Sequence, residues 1–294
     1  MKKLIKRTIC ILTTVLVLII GLWIYIYPPL PVYKGNITQG GLSDTVNVYT
    51  GTFGVPHIFA KNDTDLFFSA GYIAARERLF QMSMVAYAVR GELASALGDK
   101  YVSSDIYLRT WKIPRIAKQL AENMYPEERK ILEAFCQGIN AHIDEAMDDL
   151  PIEFKILRIK PPYWNPSDVT GYARMMAHEM QSSWKPEIVY GAIAEYFGIE
   201  KLKEIYPGYI PNEPTIAHGM KPVFDRILSH EFKIRDVFGF RSPHTGSNSW
   251  VLSGTKTTTG KPILANDPHL DFTQPARWYE MHLKGGKYNS SLIL

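Results

Sequence analysis

Two residues in the last quarter of the sequence, Ser247 and His269, have side chains well suited to catalysis. A serine hydroxyl becomes a nucleophile when a neighbouring base removes its proton, and histidine is the side chain that most often acts as that base. Ser247 directly follows Gly246 and precedes an apolar stretch that begins at Trp250. The residue types therefore predict a serine nucleophile, and the surrounding sequence pattern must show how that serine is activated.

Two common motifs do not fit this region. A nucleophile elbow requires Gly-x-Ser-x-Gly between a strand and a helix, whereas residues 246–249 (GSNS) open a predicted strand. A phosphate-binding loop has four residues between its glycines and Ser or Thr after its lysine. Here five residues separate Gly254 from Gly260, and Pro262 follows the lysine. We therefore reject both the elbow and a nucleotide site at this place.

The segment after Ser247 predicts a β-hairpin. Two short apolar runs, 250–253 and 262–265, flank the polar, glycine-bounded loop 254–260, and this pattern is typical of paired strands. A hairpin that folds about Thr257 brings Asp267 level with Ser247. It would also place His269 within side-chain reach of the serine.

A serine at the start of a strand, directly after a glycine, is also compatible with a nucleophile that is activated by its own α-amine. Cleavage of the Gly246–Ser247 bond would free this amine, whose ordinary pKa is about 7.7–8.0. Part of it is then neutral near neutral pH and can accept the hydroxyl proton. Gly246 helps because glycine tolerates the strained backbone that an N→O acyl shift requires.

Several segments resemble the penicillin acylase family, which includes penicillin, cephalosporin and acyl-homoserine-lactone acylases. Its members are N-terminal-nucleophile hydrolases that are made as one precursor and cut into α and β chains. The segments that resemble the start of the β-chain are 245–250 (TGSNSW), 253–256 (SGTK), 260–270 (GKPILANDPHL) and 278–283 (WYEMHL). Those that resemble the α-chain are 54–58 (GVPHI), 71–82 (GYIAARERLFQM) and 161–168 (PPYWNPSD).

The resemblance implies an α+β fold, the αββα sandwich of N-terminal-nucleophile hydrolases, incomplete here and with a mainly helical α-chain region. It implies cleavage between Gly246 and Ser247, with Ser247 as the nucleophile. His269 is expected to orient Ser247 and to support the oxyanion through its backbone or its ring. The implied substrate is a small linear amide, such as the side chain of a β-lactam or an N-acyl-homoserine lactone.

The resemblance also implies binding residues upstream. Met176 and Met180 are expected on a helix that lines the acyl pocket, although a methionine stripe is equally typical of an ordinary core. Glu187 resembles a glutamate that holds structural calcium in some members, and the chemistry itself needs no cofactor. We interpret His178 and Glu179 as surface residues, because a second histidine of a zinc motif is missing.

Periodicity predicts the elements that must position these residues. Residues 44–60 alternate apolar and polar side chains and predict a strand pair, in which His57 is expected to orient a strand or turn rather than to catalyse. From Asp63 the period becomes helical, with Asp63 or Thr64 as the N-cap. Further helices are predicted at about 113–123, 126–148, 166–181 and 187–197.

The N-terminus predicts a membrane segment. Lys2, Lys3, Lys6 and Arg7 precede an uncharged run from Thr8 that is long enough to span a bilayer. The basic flank is expected to stay in the cytoplasm, which places the rest outside it, at the cell surface or in the periplasm. We favour an uncleaved signal-anchor over a cleaved signal peptide, because no small-x-small cleavage site precedes Pro28.

The expected organisation follows from these patterns. A cytoplasmic tail (1–7), a signal-anchor (8–27) and a linker (28–43) precede the acylase α-chain region (44–217), a spacer or linker (218–246) and the start of a truncated β-chain (247–294). With 33 Lys and Arg against 29 Asp and Glu, the net charge of +4 indicates no nucleic-acid surface. An alternative function remains open: a truncated, inactive remnant that acts at most as a membrane-tethered binding or structural module.

Overall fold

The computed structural model describes residues 2–26, 31, 33–181, 184–207, 229, 246–270 and 272–293. The helices are α1 (Lys2–Ile26), α2 (Asp63–Arg90), α3 (Leu93–Leu97), α4 (Val102–Thr110), α5 (Ile113–Glu122), α6 (Pro126–Ala146), α7 (Ile152–Leu157), α8 (Pro166–Met180), α9 (Trp184–Phe197) and α10 (Ile199–Ile205). The strands are β1 (Asn47–Thr50), β2 (Pro56–Phe59), β3 (Gly246–Leu252), β4 (Ile263–His269), β5 (Glu280–Gly285) and β6 (Tyr288–Ile293).

These elements confirm an α+β chain whose described residues before Gly246 are mainly helical. The predicted strand pair is β1 with β2, and the predicted helices are α2, α5, α6, α8 and α9. Helices α3, α4, α7 and α10 and strands β5 and β6 were not predicted from the sequence. The unpredicted helices are short, and short helices depend on tertiary packing rather than on their own propensity.

The chain divides into two compact units that do not follow chain order. The first comprises Met1–Tyr87, Met124–Pro166 and Glu280–Leu294, and the second comprises Ala88–Asn123 and Ser167–Tyr279. The predicted domain boundaries are therefore not the boundaries of these units, and they remain a prediction about processing and targeting.

The first unit contains a four-stranded sheet in the order β1-β2-β5-β6. Strands β2 and β5 are parallel, with His57 opposite His282 and Phe59 opposite Lys284, and the outer pairs are antiparallel. Ile58, Met281 and Leu283 are fully buried. The sheet therefore contributes one apolar face to the core of this unit.

Helices α2 and α6 touch through their backbones. A Cβ atom on Gly71 would lie 2.0 Å from the carbonyl oxygen of Phe135, and one on Gly138 would lie 1.8 Å from that of Phe68. Side chains larger than hydrogen at these two positions would force the helices apart. Two glycines therefore set the distance between α2 and α6.

The predicted linker is tied to α2 where the structure describes it. The Asp65 carboxylate is almost fully buried and accepts hydrogen bonds from the backbone N–H groups of Ser43 and Asp44, from the Ser43 hydroxyl and from the Asn62 amide. Burial alone would raise the pKa of Asp65, but these donors hold it below its usual value. The linker thus ends at a fixed point on the first turn of α2.

The second unit depends on a buried ion pair. The Arg90 guanidinium binds both oxygens of Asp168, with Nε–Oδ1 at 2.7 Å and Nη2–Oδ2 at 2.8 Å. The Asp168 side chain is only 2% exposed. A hydrogen bond joins α8 to α5 in the same region: the Thr170 hydroxyl donates to the carbonyl oxygen of Ala117 at 2.8 Å. These bonds fix the start of α8 against α5 and the end of α2.

Helix α1 is the one helix, among the described residues, that is long and apolar enough to cross a membrane. Its central window, Lys6–Trp23, has a mean hydropathy of 1.8 and is not buried against the protein. A signal sequence near the N-terminus meets the same criteria. Length and composition therefore agree with either a signal-anchor or a signal peptide.

We predict opposite effects for two helical glycine substitutions. Gly138→Ala should lower the free energy of unfolding by about 3 kcal/mol or more, because the new methyl group meets a backbone carbonyl that cannot move alone. Gly191→Ala in α9, where a Cβ has nothing within 4 Å, should raise it by about 0.5–1 kcal/mol. The measurement is urea unfolding of both variants in detergent, followed by circular dichroism. Equal effects would contradict the close contact between α2 and α6.

Candidate active site

The predicted hairpin around Ser247 is confirmed as strands β3 and β4. Ser247 lies opposite Pro268, and Asp267 lies opposite Asn248, so the register differs by one residue from the expected one. The first loop residue, Ser253, accepts a hydrogen bond from the N–H of Thr255 and starts a 3-10 turn, Gly254–Lys256. Because the unpaired loop covers 253–262, the fold axis falls between residues 257 and 258 instead of on Thr257.

This register places Ser247 and His269 on opposite faces of the hairpin. Directly opposed residues of an antiparallel pair share a face, and successive residues alternate. Ser247 therefore lies on the face of Pro268, whereas His269 shares a face with Asn248 and Asp267. The ring Nε2 of His269 lies 2.7 Å from Asp267 Oδ2 and 3.3 Å from Asn248 Nδ2. The structure thus brings His269 to Asp267 and does not bring its ring to Ser247.

Ser247 lies against the peptide bond that precedes it. Its hydroxyl donates to the carbonyl oxygen of Gly246 at 2.7 Å. Both residues are exposed, as is the whole of β3. Since the attacking oxygen for an N→O acyl shift is this hydroxyl, its contact with the Gly246 carbonyl group suits the predicted cleavage.

Helix α8 carries the two predicted pocket residues. Met175 is buried, Met176 is half-buried and Met180 is 53% exposed. One methionine of the stripe therefore belongs to the core, whereas the two residues predicted for the pocket retain accessible surface. Their role in binding an acyl group remains a prediction.

The interpretation of His178 and Glu179 as surface residues is wrong. The His178 ring is half-buried and packs on the Trp111 ring. Its Nε2 forms a hydrogen bond of 3.0 Å with the Tyr107 hydroxyl. Glu179 binds Arg277 through two contacts of 3.2 and 2.7 Å. No local sequence pattern indicates the Glu179–Arg277 pair, because Arg277 lies 98 positions from Glu179.

The Arg277 side chain contacts both an acidic and an aromatic residue. Its side chain is 8% exposed, and its guanidinium also lies over the Trp278 ring at 5.5 Å. Burial raises the pKa of the neighbouring Tyr172, and the positive charge of Arg277 partly opposes that rise. The Glu179–Arg277 pair therefore ties the segment after β4 to the helix that carries Met176 and Met180.

Glu187, the predicted calcium ligand, is exposed in the first turn of α9. Within the described residues, no group of three or more His, Cys, Asp or Glu side chains has a metal-binding arrangement. A calcium ion at Glu187 remains a prediction. The predicted spacer, 218–246, lies outside the described residues except for Ser229 and Gly246.

A comparison with protein families decides the affiliation of this chain. The model of the penicillin amidase family matches residues 45–291. The chain belongs to the penicillin amidase family. This match runs from the start of the α-chain-like region through the Ser247 hairpin and into β6.

Individual relatives of this penicillin amidase family member are acylases by name. It is 29% identical over 273 residues to penicillin acylase 2 proenzyme from Pseudomonas sp. strain SE83, covering 88% of this chain and 34% of the relative. It is 25% identical over 270 residues to acyl-homoserine lactone acylase QuiP from Pseudomonas aeruginosa, covering 89% and 32%. The chain thus spans about a third of the length of the curated relatives it matches.

A solved structure of a family member also matches. It is a thermostable penicillin G acylase from Alcaligenes faecalis, 25% identical in sequence, with a TM-score of 0.49. The match covers 59% of this chain and 96% of that chain.

We predict that the Glu179–Arg277 pair contributes measurably to stability. Arg277→Met should lower the free energy of unfolding by about 1–3 kcal/mol, because it leaves a largely buried carboxylate unpaired. A double-mutant cycle with Glu179→Gln should give a coupling energy above about 0.5 kcal/mol. Lys203→Met, which breaks the exposed pair with Glu200, is the matched control and should change stability by less than about 0.5 kcal/mol. Similar effects of Arg277→Met and the control would contradict the prediction.

Proposed function

We propose that the protein is an amidohydrolase that removes an acyl group from a small linear amide, with Ser247 as an N-terminal nucleophile. The observation that carries the proposal is the position of Ser247, at the exposed start of β3 with its hydroxyl on the Gly246 carbonyl. The penicillin amidase match across residues 45–291 supports it.

The first chemical event is cleavage of the protein's own chain. The Ser247 hydroxyl adds to the carbonyl carbon of Gly246, and the carbon–nitrogen bond of that peptide breaks. The acyl group is then on Ser247 Oγ as an ester, and water hydrolyses this ester. The products are a carboxylate on Gly246 and a free α-amine and hydroxyl on Ser247. That one relative is named a proenzyme supports such a precursor.

Substrate hydrolysis then uses the freed amine as base. The amine, directly or through one water molecule, takes the Oγ proton while Ser247 attacks the amide carbonyl. The proton passes to the leaving nitrogen, the amine product departs, and water hydrolyses the acyl-enzyme. The α-amine relays each proton, the water molecule that hydrolyses the acyl-enzyme returns a proton to Ser247 Oγ, and the proposed steps use no cofactor.

We propose that His269 acts through its backbone rather than through its ring. Its ring nitrogen is engaged by Asp267, and in the strand register its backbone lies opposite Gly246. His269 therefore acts by holding the residue that precedes the scissile bond. Of the two routes by which His269 was expected to support the oxyanion, its backbone or its ring, we propose the backbone.

The names of the relatives support a proposal for the substrate class. Their names specify penicillin and acyl-homoserine lactones, which share an acyl group on a nitrogen outside the lactam or lactone ring. We propose that the acyl chain binds along α8 at Met176 and Met180, which keep accessible surface. The apolar α1 would place the activity outside the cytoplasm, and Glu187 would hold a structural calcium ion.

Self-processing should be visible in the mass of the chain. In the protein expressed from its own coding region, a new chain should begin at Ser247, and Ser247→Ala should abolish it because no hydroxyl remains to attack Gly246. Intact-mass spectrometry measures both. The matched control is Ser249→Ala, two residues along the same exposed face of β3, which should still be cut.

Failure of this test has a specific meaning. A single uncut chain in the unmodified protein would leave Ser247 without a free amine. The amidohydrolase proposal would then fail, and the alternative of a membrane-tethered binding module would be favoured.

The processed protein should lose activity at acidic pH. An α-amine with an ordinary pKa of about 7.7–8.0 can act as a base only when it is unprotonated, so kcat/KM for a chromogenic acyl amide should be at least about tenfold lower at pH 6.5 than at pH 8.5. The pH profile of the processed enzyme measures this. A profile that is flat across this range would contradict the amine as the base.

A further inference from the structure

Two histidines from distant parts of the chain meet in the sheet of the first unit. His57 on β2 and His282 on β5 are direct neighbours across the parallel pair. Their Nδ1 atoms are 3.2 Å apart, and their ring planes cross at 68° with centroids 5.3 Å apart. Both rings are half-buried. Neither histidine has a part in the proposed amide hydrolysis.

The His282 ring is oriented from its far side. Its Nε2 lies 3.3 Å from Asn289 Oδ1 on β6, and the Phe59 ring packs edge-on against it at 5.8 Å. An amide oxygen can only accept, so Nε2 carries the proton and Nδ1 of His282 presents a lone pair. Histidines that bind metals are usually oriented in this way, by an oxygen on the nitrogen that does not bind.

The distance of 3.2 Å between the two Nδ1 atoms suits a metal ion bound by both. An ion about 2.1 Å from each nitrogen, the usual zinc–imidazole distance, would subtend an N–metal–N angle of about 100°, close to the tetrahedral value. Imidazole nitrogens are good ligands for zinc, copper and nickel. The strand pairing fixes both ligands before any ion arrives, which reduces the ordering cost of binding.

We propose that His57 and His282 form a binding site for a divalent transition-metal ion, with their Nδ1 atoms as ligands and water in the remaining positions. Without the ion, His57 donates its Nδ1 proton to His282. With the ion, that proton moves to Nε2 of His57, so no net proton is released. This nitrogen faces Gly51, where even an added Cβ would lie 3.4 Å away, and there is room for the change.

The charges around the pair permit a cation. Glu280 and Lys284 are two residues either side of His282 on β5, so they share its face of the strand. Both are exposed, and their charges offset one another. On the His57 side the strand neighbours are Tyr49 and Phe59, which carry no charge at neutral pH.

Such an ion would bridge two segments that lie on either side of Ser247 in the sequence. If the chain is cut there, the ion would join β2 of one product to β5 of the other. This consequence alone rests on the proposed function. The site itself exists in the uncut chain and can be tested there.

The test uses the untagged 294-residue chain with Ser247→Ala, solubilised in detergent and stripped of metal. Isothermal titration with Zn²⁺ should show one ion per chain. Either His57→Asn or His282→Asn should abolish this binding, because each removes one of two protein ligands. Asn289→Ala should weaken it by about tenfold, since the ring of His282 would lose its orienting partner.

The control is His269→Ala, which removes the exposed His–Asp pair of the other unit and should leave Zn²⁺ binding intact. Zn²⁺ binding that persists in both strand variants would overturn the proposal, as would no binding to the parent chain. If a strand variant fails to fold, Cu²⁺ electron paramagnetic resonance of the parent chain decides. Coupling to two imidazole nitrogens supports the site, and coupling to one or none refutes it.

Discussion

The parallel pairing of β2 with β5 is the constraint on which the first unit depends. It joins His57 to His282, residues 225 positions apart, and buries Ile58 and Leu283 completely. A two-stranded hairpin such as β5–β6 is marginal by itself in water. Once β5 has paired with β2, it gains a partner on each side and an apolar face in the core.

The same pairing closes the C-terminal hairpin onto the start of α2. The turn residue Gly286 has a φ of +52° and lies against Asp63, where any side chain would collide with the carboxylate. Asp63 in turn accepts a hydrogen bond from the N–H of Lys287 at 2.9 Å. A carboxylate in the first turn of a helix is favourable for the helix dipole as well, so one residue serves both the turn and the helix.

The proposed chemistry, in contrast, is built from local structure. Strand β3 is exposed along its length, and the Ser247 hydroxyl donates a hydrogen bond to the carbonyl of the residue before it. A nucleophile that provides its own base requires no distant triad, only a cut before it. The Glu179–Arg277 pair then links the segment after this hairpin to α8, so the predicted acyl-binding helix and the nucleophile strand belong to one unit.

The sequence by itself determined the long helices, the β1–β2 pair, the β3–β4 hairpin and the family, because periodicity and contiguous motifs are local signals. Tertiary structure decided the register that turns His269 away from Ser247, which a one-residue change in the turn controls. It also decided the Glu179–Arg277 and His57–His282 pairs. The two residues of these pairs lie 98 and 225 positions apart in the sequence, respectively. A local sequence pattern does not indicate which distant side chains the folded backbone brings together.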